Sequence, residues 1–175
     1  WLYLQATADT DVVKRVVPAG ARVLEWYRRL IGTSGVIELD CDEQSKSDNG
    51  LLFIDHPGIG WHNFPHPGID RSPVSCPLNA FYYKYLCVLA DLGREIGHPS
   101  AAAIAHQAAV LRAAIRSTFL RGGVFRDALH LDGPGRAASW QANALAVLFD
   151  IAEPEEAAPV MRAMLEGYDR LCRCS

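Results

Sequence analysis

No stretch of this chain approaches the roughly 18 uninterrupted apolar residues of a membrane-crossing helix, so no membrane partner is expected. The 17 Lys and Arg, set against 20 Asp and Glu, form neither a block nor a stripe. With a net charge of −3 and a pI near 6.1, the chain lacks the electrostatic footprint that nucleic-acid binding requires, and nucleic acid is excluded as a partner. Cysteine is scarce and irregular: Cys41, Cys76, Cys87, Cys172 and Cys174 are odd in number. That argues against both a disulfide framework and a Cys-x-x-Cys zinc knuckle, and the expectation is reduced thiols in a cytoplasmic protein. No charged-then-apolar leader opens the sequence, which begins at Trp1 inside an expected helix and stops just past another. The expectation is a fragment of a longer protein.

What is present is enough for a core. At 175 residues, 50% apolar and 21% charged, residues 1–175 read as one globular unit. Its most informative stretch runs from Phe53 to Tyr83. Between Phe53 and Asp70, three His, one Trp, two Phe and two Asp are interspersed with six Gly and Pro, which prevent regular structure and free the side chains to converge. Aromatic faces stack on sugar C–H surfaces while carboxylates and imidazoles take hydroxyls, so this loop has the make-up of a carbohydrate site.

The rest reads as helices. Thr10 and Asp11 are placed to cap a helix over 11–31, with Val13, Val16, Val17, Leu24, Trp26, Tyr27 and Leu30 as its apolar stripe and Pro18 bending or splitting it. Residues 32–50 are loop, with an exposed turn at Ser47 to Gly50 and a short strand at Val36 to Leu39. Pro77 opens a helix carrying Leu78, Tyr82, Tyr85, Leu89, Leu92 and Ile96, ended by Gly97. Pro99 opens the next, striped by Ile104, Ala108, Leu111, Ile115 and Phe119 and ended by Gly122-Gly123. So short a connection makes the two antiparallel neighbours. Val124 to Leu131 suggest a β-ribbon before a Gly-Pro-Gly turn at 133–135. Ser139 then caps a helix to about Asp150, and Pro154, followed by Glu155 and Glu156, opens its partner to Tyr168. Successive hairpins with a hint of strand are the pattern of an α/α toroid; a plain helical bundle is the other all-α solution.

Four segments in order, Thr7–Tyr27 (TADTDVVKRVVPAGARVLEWY), Phe53–His56 (FIDH), Leu78–Ala102 (LNAFYYKYLCVLADLGREIGHPSAA) and Val124–Ala128 (VFRDA) followed by Ser139–Glu156 (SWQANALAVLFDIAEPEE), resemble the (α/α)6-barrel catalytic domain of α-L-rhamnosidases and related six-hairpin glycosidases. The resemblance implies an all-α fold, helical hairpins forming part of an (α/α)6 toroid with a small β-ribbon, and the hydrolysis of terminal rhamnosides with inversion in the complete enzyme. It also implies what is missing. The family's acidic segment with the general acid lies upstream of this region and its base Glu lies downstream, so both catalytic carboxylates fall outside the chain. Where many members carry Asp-Trp, this chain has Asp55-His56, and Trp61 is the candidate to replace the stacking ring.

The expected substrate-binding residues are therefore Asp55, His56, Trp61, His62 and Trp140, with no cofactor. Asp55 has an ordinary alternative role in capping a turn. His56, His62 and His66 with Asp55 and Asp70 could in principle ligate a metal, but Gly and Pro preclude the helix that would give their spacing force, and no metal is expected. Trp140, beside Gln141 and Asn143, either faces a toroid's cavity or packs in the core. Asn79 is expected to bond loop backbone rather than ligand. Cys76, before Pro77 at a helix start, lacks an identifiable His partner, which argues against a nucleophile. Half a barrel would also leave bare the apolar flank that its missing hairpins cover, and self-association through it is expected. The alternative to an enzyme portion is a non-catalytic helical-hairpin module that binds carbohydrate or protein.

Overall fold

The structure, a computed structural model, describes residues 2–39, 74–130, 133–134 and 137–171. Among these, six helices follow in order: α1 (Leu2–Thr7), α2 (Thr10–Arg28), α3 (Cys76–Glu95), α4 (Ala101–Phe119), α5 (Trp140–Leu148) and α6 (Pro154–Leu171). Five short strands accompany them: β1 (Val74–Ser75), β2 (Leu120–Arg121), β3 (Val124–Phe125), β4 (Ala128–His130) and β5 (Gly133–Pro134). The fold is all-α with small β-ribbons, as expected.

Helix α3 is the hub. Its buried residues, Asn79, Ala80, Tyr82, Tyr83, Leu86, Leu89, Ala90, Leu92 and Gly93 among them, run around much of its circumference, because it packs against α2, α4 and α5 at once. Helix α4 buries one stripe, Ile104, Ala108, Leu111, Ile115 and Phe119, all the residues its periodicity picks out. The α3–α4 crossing is close at Gly93, where an added Cβ would stand 3.1 Å from that of Ala101. Short connections make α3–α4 and α5–α6 antiparallel hairpins, and two arginines of α4 tie the second hairpin to the first. Arg112 Nε donates to the Asp150 carbonyl at 2.7 Å and its Nη1 to Glu153 at 2.9 Å. Arg116 donates to the Ile151 carbonyl at 3.0 Å and forks onto Glu156 at 2.6 and 2.9 Å. The Arg116 fork, helped by the Glu153 N–H, holds the Glu156 carboxyl down at about 2.

Several boundaries differ from the sequence reading. The cap of α2 is Asp9, whose Oδ1 accepts from the N–H groups of Asp11 and Val12, one residue before the expected Thr10. Pro18 does not split α2, which is continuous from Thr10 to Arg28. Pro18 is exposed and its neighbour Val17 is wholly buried, so packing on one side carries the helix past the missing hydrogen bond. The apolar stripe assigned to α2 is in fact two: Val13, Val17 and Leu24 are buried, whereas Val16 and Trp26 are about half exposed, at 48% and 53%. No strand spans Val36 to Leu39; a single antiparallel bridge joins Ile31 to Ile37. The expected ribbon at 124–131 divides between two sheets. Strand β3 pairs with β2 across Gly122-Gly123, both at positive φ (59° and 81°), as a two-residue hairpin turn requires. Strand β4 pairs with β1 and with β5, so Gly133 and Pro134 are paired strand rather than turn.

Candidate functional site

One end of the molecule gathers the elements that the sequence points to. The N-termini of α3 and α5, the β1–β4–β5 sheet, the β2–β3 hairpin that follows α4, and the Val36–Ile37 segment after α2 are linked there by hydrogen bonds. Two serines begin the helices. Ser75 Oγ accepts from the Leu78 N–H at 3.4 Å, and Ser139 Oγ accepts from the Ala142 N–H at 3.1 Å. Four residues further on, each helix carries a wholly buried Asn. Asn79 Oδ1 accepts from the Ile37 N–H at 2.7 Å while its Nδ2 donates to the carbonyls of Ile37 (3.2 Å) and Ser75 (2.8 Å). Asn143 repeats the pattern: Oδ1 accepts from the Phe125 N–H at 2.8 Å, and Nδ2 donates to the carbonyls of Phe125 and Ser139, both at 2.9 Å.

Asp127 joins the two helix starts. It is 1% exposed; its carbonyl accepts from the Cys76 N–H at 2.7 Å and its Oδ1 from the Ser139 N–H at 2.6 Å. A carboxylate over the N–H groups at a helix start complements the positive end of the helix dipole. The sequence reading passed over Asp127; its only signal was an Asp in the Val124–Ala128 segment of the family resemblance.

Trp140, the first residue of α5, is partly buried at this end, adjacent to the capping Ser139. The other expected substrate-binding residues, Asp55, His56, Trp61 and His62, lie outside the described residues, as do His66 and Asp70. Asn79 bonds backbone, as its place in the sequence suggested. Cys76 is completely buried, and burial, with the Asp127 charge adding to it, pushes its thiol far above the ordinary range. A protonated thiol with no access to solvent is no nucleophile. Among the described residues no group of three or more His, Cys, Asp or Glu could hold a metal ion, and no helix is long and apolar enough to cross a membrane.

Behind this end, Tyr27 stacks on Tyr82 with ring centroids 4.7 Å apart, and Tyr82 Oη accepts from Gln107 Nε2 at 3.1 Å. Burial raises the Tyr82 phenol to about 12. These aromatics cement α2, α3 and α4 below the loops.

No known family model matches the sequence, and no curated protein does. Solved structures do match the fold. A GH78 family rhamnosidase of Bacillus sp. GL1 superposes with a TM-score of 0.72 at 24% identity, covering 95% of this chain and 16% of that enzyme. A rhamnosidase from Klebsiella oxytoca, solved with rhamnose bound, gives 0.71 at 18% identity over 94% of this chain and 28% of its own length. The chain thus has the fold of one portion of these enzymes, spanning less than a third of the length of either.

Proposed function

We propose that this chain is a portion of a glycoside hydrolase similar to α-L-rhamnosidases, supplying one rim of a carbohydrate site but neither catalytic carboxylate. The observation that carries the reading is the fold likeness over nearly the whole chain to two rhamnosidases, one of them with rhamnose bound. In this reading the two hairpins are part of an (α/α)6 toroid, and Asp55, His56, Trp61, His62 and Trp140 meet the sugar. Asp55 and the imidazoles take hydroxyls, and the indoles stack on its C–H face. Inversion requires one protonated carboxyl at the leaving oxygen and one carboxylate activating water, roughly 6.5–9.5 Å apart. Both come from the rest of the longer enzyme, so the chain by itself binds without turning over.

The test is a titration of the 175-residue chain with L-rhamnose, followed by NMR. A millimolar affinity, about −4 kcal/mol, is expected, with shifts at the residues named. Abolition by Asp55→Ala supports the reading; a wild-type titration that moves no resonance overturns it.

The same reading accounts for a bare apolar flank, since a portion of a barrel lacks the hairpins that would cover it. Along α2, Val16, Ala19, Val23 and Trp26 are exposed with Val12 half-buried beside them. They follow one another at three- and four-residue steps, the spacing of a helix-packing seam. In our reading this is the apolar flank through which a second copy associates.

A further inference from the structure

The side-chain clamp at the candidate site occurs twice, once in each hairpin. Ser75-Cys76-Pro77-Leu78-Asn79-Ala80 and Ser139-Trp140-Gln141-Ala142-Asn143-Ala144 share a Ser, an Asn four positions on and an Ala after it. In both the Ser caps the helix, and the Asn amide returns to the Ser carbonyl while gripping the N–H and C=O of one upstream residue. Asn79 so joins Ile37 to Ser75, and Asn143 joins Phe125 to Ser139.

The chemistry of the amide is used up in doing this. A primary amide offers two N–H donors and a carbonyl oxygen. Here both donors go to backbone carbonyls and the oxygen takes a backbone N–H, with each residue wholly buried. Neither Asn has a donor left for a ligand. Each instead fixes the geometry of the polypeptide entering its helix. Ser139 is held at all three of its polar positions: its N–H by Asp127, its Oγ by the Ala142 N–H, its carbonyl by Asn143. The next residue is Trp140.

We propose that Asn79 and Asn143 are equivalent positioning residues of an internal repeat, and that Asn143, through Ser139, sets the place of Trp140. Asp cannot substitute for Asn here, because a carboxylate has no donor for the Phe125 and Ser139 carbonyls and is repelled from both, which pulls it off the Phe125 N–H as well. Only the last consequence, an effect on sugar binding, rests on the carbohydrate reading.

The experiment compares wild type with Asn143→Asp, following amide exchange by NMR and the Trp140 indole N–H resonance, assigned through Trp140→Phe. In wild type the Phe125 and Ile37 amides should exchange slowly. In Asn143→Asp we expect Phe125 exchange to quicken roughly 10-fold or more, the weight of about one hydrogen bond, with Ile37 unchanged and the Trp140 indole resonance displaced. L-Rhamnose binding should weaken by a similar factor. Fast exchange at Phe125 in wild type, or an indole resonance left in place by the substitution, overturns the proposal. Should Asn143→Asp fail to fold, the wild-type exchange rates and the mirror variant Asn79→Asp, which should quicken Ile37 and leave the Trp140 indole in place, decide it. If wild type ignores rhamnose, the carbohydrate reading falls while the exchange and indole measurements still decide the clamp.

Discussion

Asn143 holds Phe125 by both of its backbone polar groups, accepting from its N–H at 2.8 Å and donating to its carbonyl at 2.9 Å. A side chain thus does for this residue of β3 what a further neighbouring strand would do in a sheet. Removing it strands the buried N–H and carbonyl of Phe125 and leaves the Ser139 carbonyl only its bond from the backbone N–H of residue 143 at 3.3 Å. Asn143→Ala should destabilise the chain by about 2–4 kcal/mol, and Asn79→Ala by a similar amount, since an unpaired buried polar group costs its full desolvation. Urea denaturation of both variants and of the double variant measures this. Because the two clamps share no partner, their effects should add.

The Arg116–Glu156 fork predicts an acid dependence of known sign. The Glu156 carboxyl is held at about 2 in the folded chain, against 4.5 for the free group, chiefly by its hydrogen bonds to Arg116. Its contribution is therefore fully present above pH 4.5 and lost as pH falls from there toward 2. Arg116→Met should cost about 1–2 kcal/mol near neutral pH, the pair being only partly shielded from solvent. That deficit should shrink as the pH is lowered through the same window. Denaturation curves at neutral pH and at about pH 2.5 test it; a deficit independent of pH would mean that the pair contributes nothing through its charge.

The 175-residue chain should not hydrolyse an aryl α-L-rhamnoside above the rate in buffer, because inversion needs two carboxyl groups that the proposed reading places elsewhere in the longer enzyme. Turnover that disappears in Asp55→Ala would assign a catalytic carboxylate to this chain and overturn that division.

The proposed association through α2 would carry a salt signature. Arg15, Arg22 and Arg29 recur every seven residues beside the exposed stripe, and none makes a side-chain hydrogen bond or ion pair among the described residues. Two copies meeting stripe to stripe bring these rows together, and salt screens their repulsion within about 10 Å at 0.1 M. Sedimentation should show self-association that strengthens with salt and is lost in Trp26→Ala. A mass that stays monomeric at every salt and protein concentration removes this flank as an interface.

Helix order, the hairpin partners and the α4 core stripe were legible because period, capping Ser and Pro all act locally. Pro99 and Ser139 marked helix starts to within two residues for that reason. What the sequence concealed was set by contacts between distant segments. That Val13 is buried and Val16 exposed depends on where α3 lies, since both are equally apolar. The division of residues 124–130 between two sheets depends on Val74, far upstream in the chain. Of the expected site residues, Trp140 is placed at the end where both helix starts meet, and Asp55, His56, Trp61 and His62 lie outside the described residues. The Ser-x-x-x-Asn-Ala repeat was readable from sequence alone, but three residues shared between two hexapeptides gain meaning only when both amides are found gripping backbone.

Cys76 lies under Asp127 and the β1–β4 pairing, wholly out of solvent and with its thiol held protonated. It cannot be alkylated until the start of α3 lifts from the ribbon. The rate at which a thiol reagent captures it is therefore a clock for that opening, and the chain carries, without any engineered label, its own reporter on how often the candidate site comes apart.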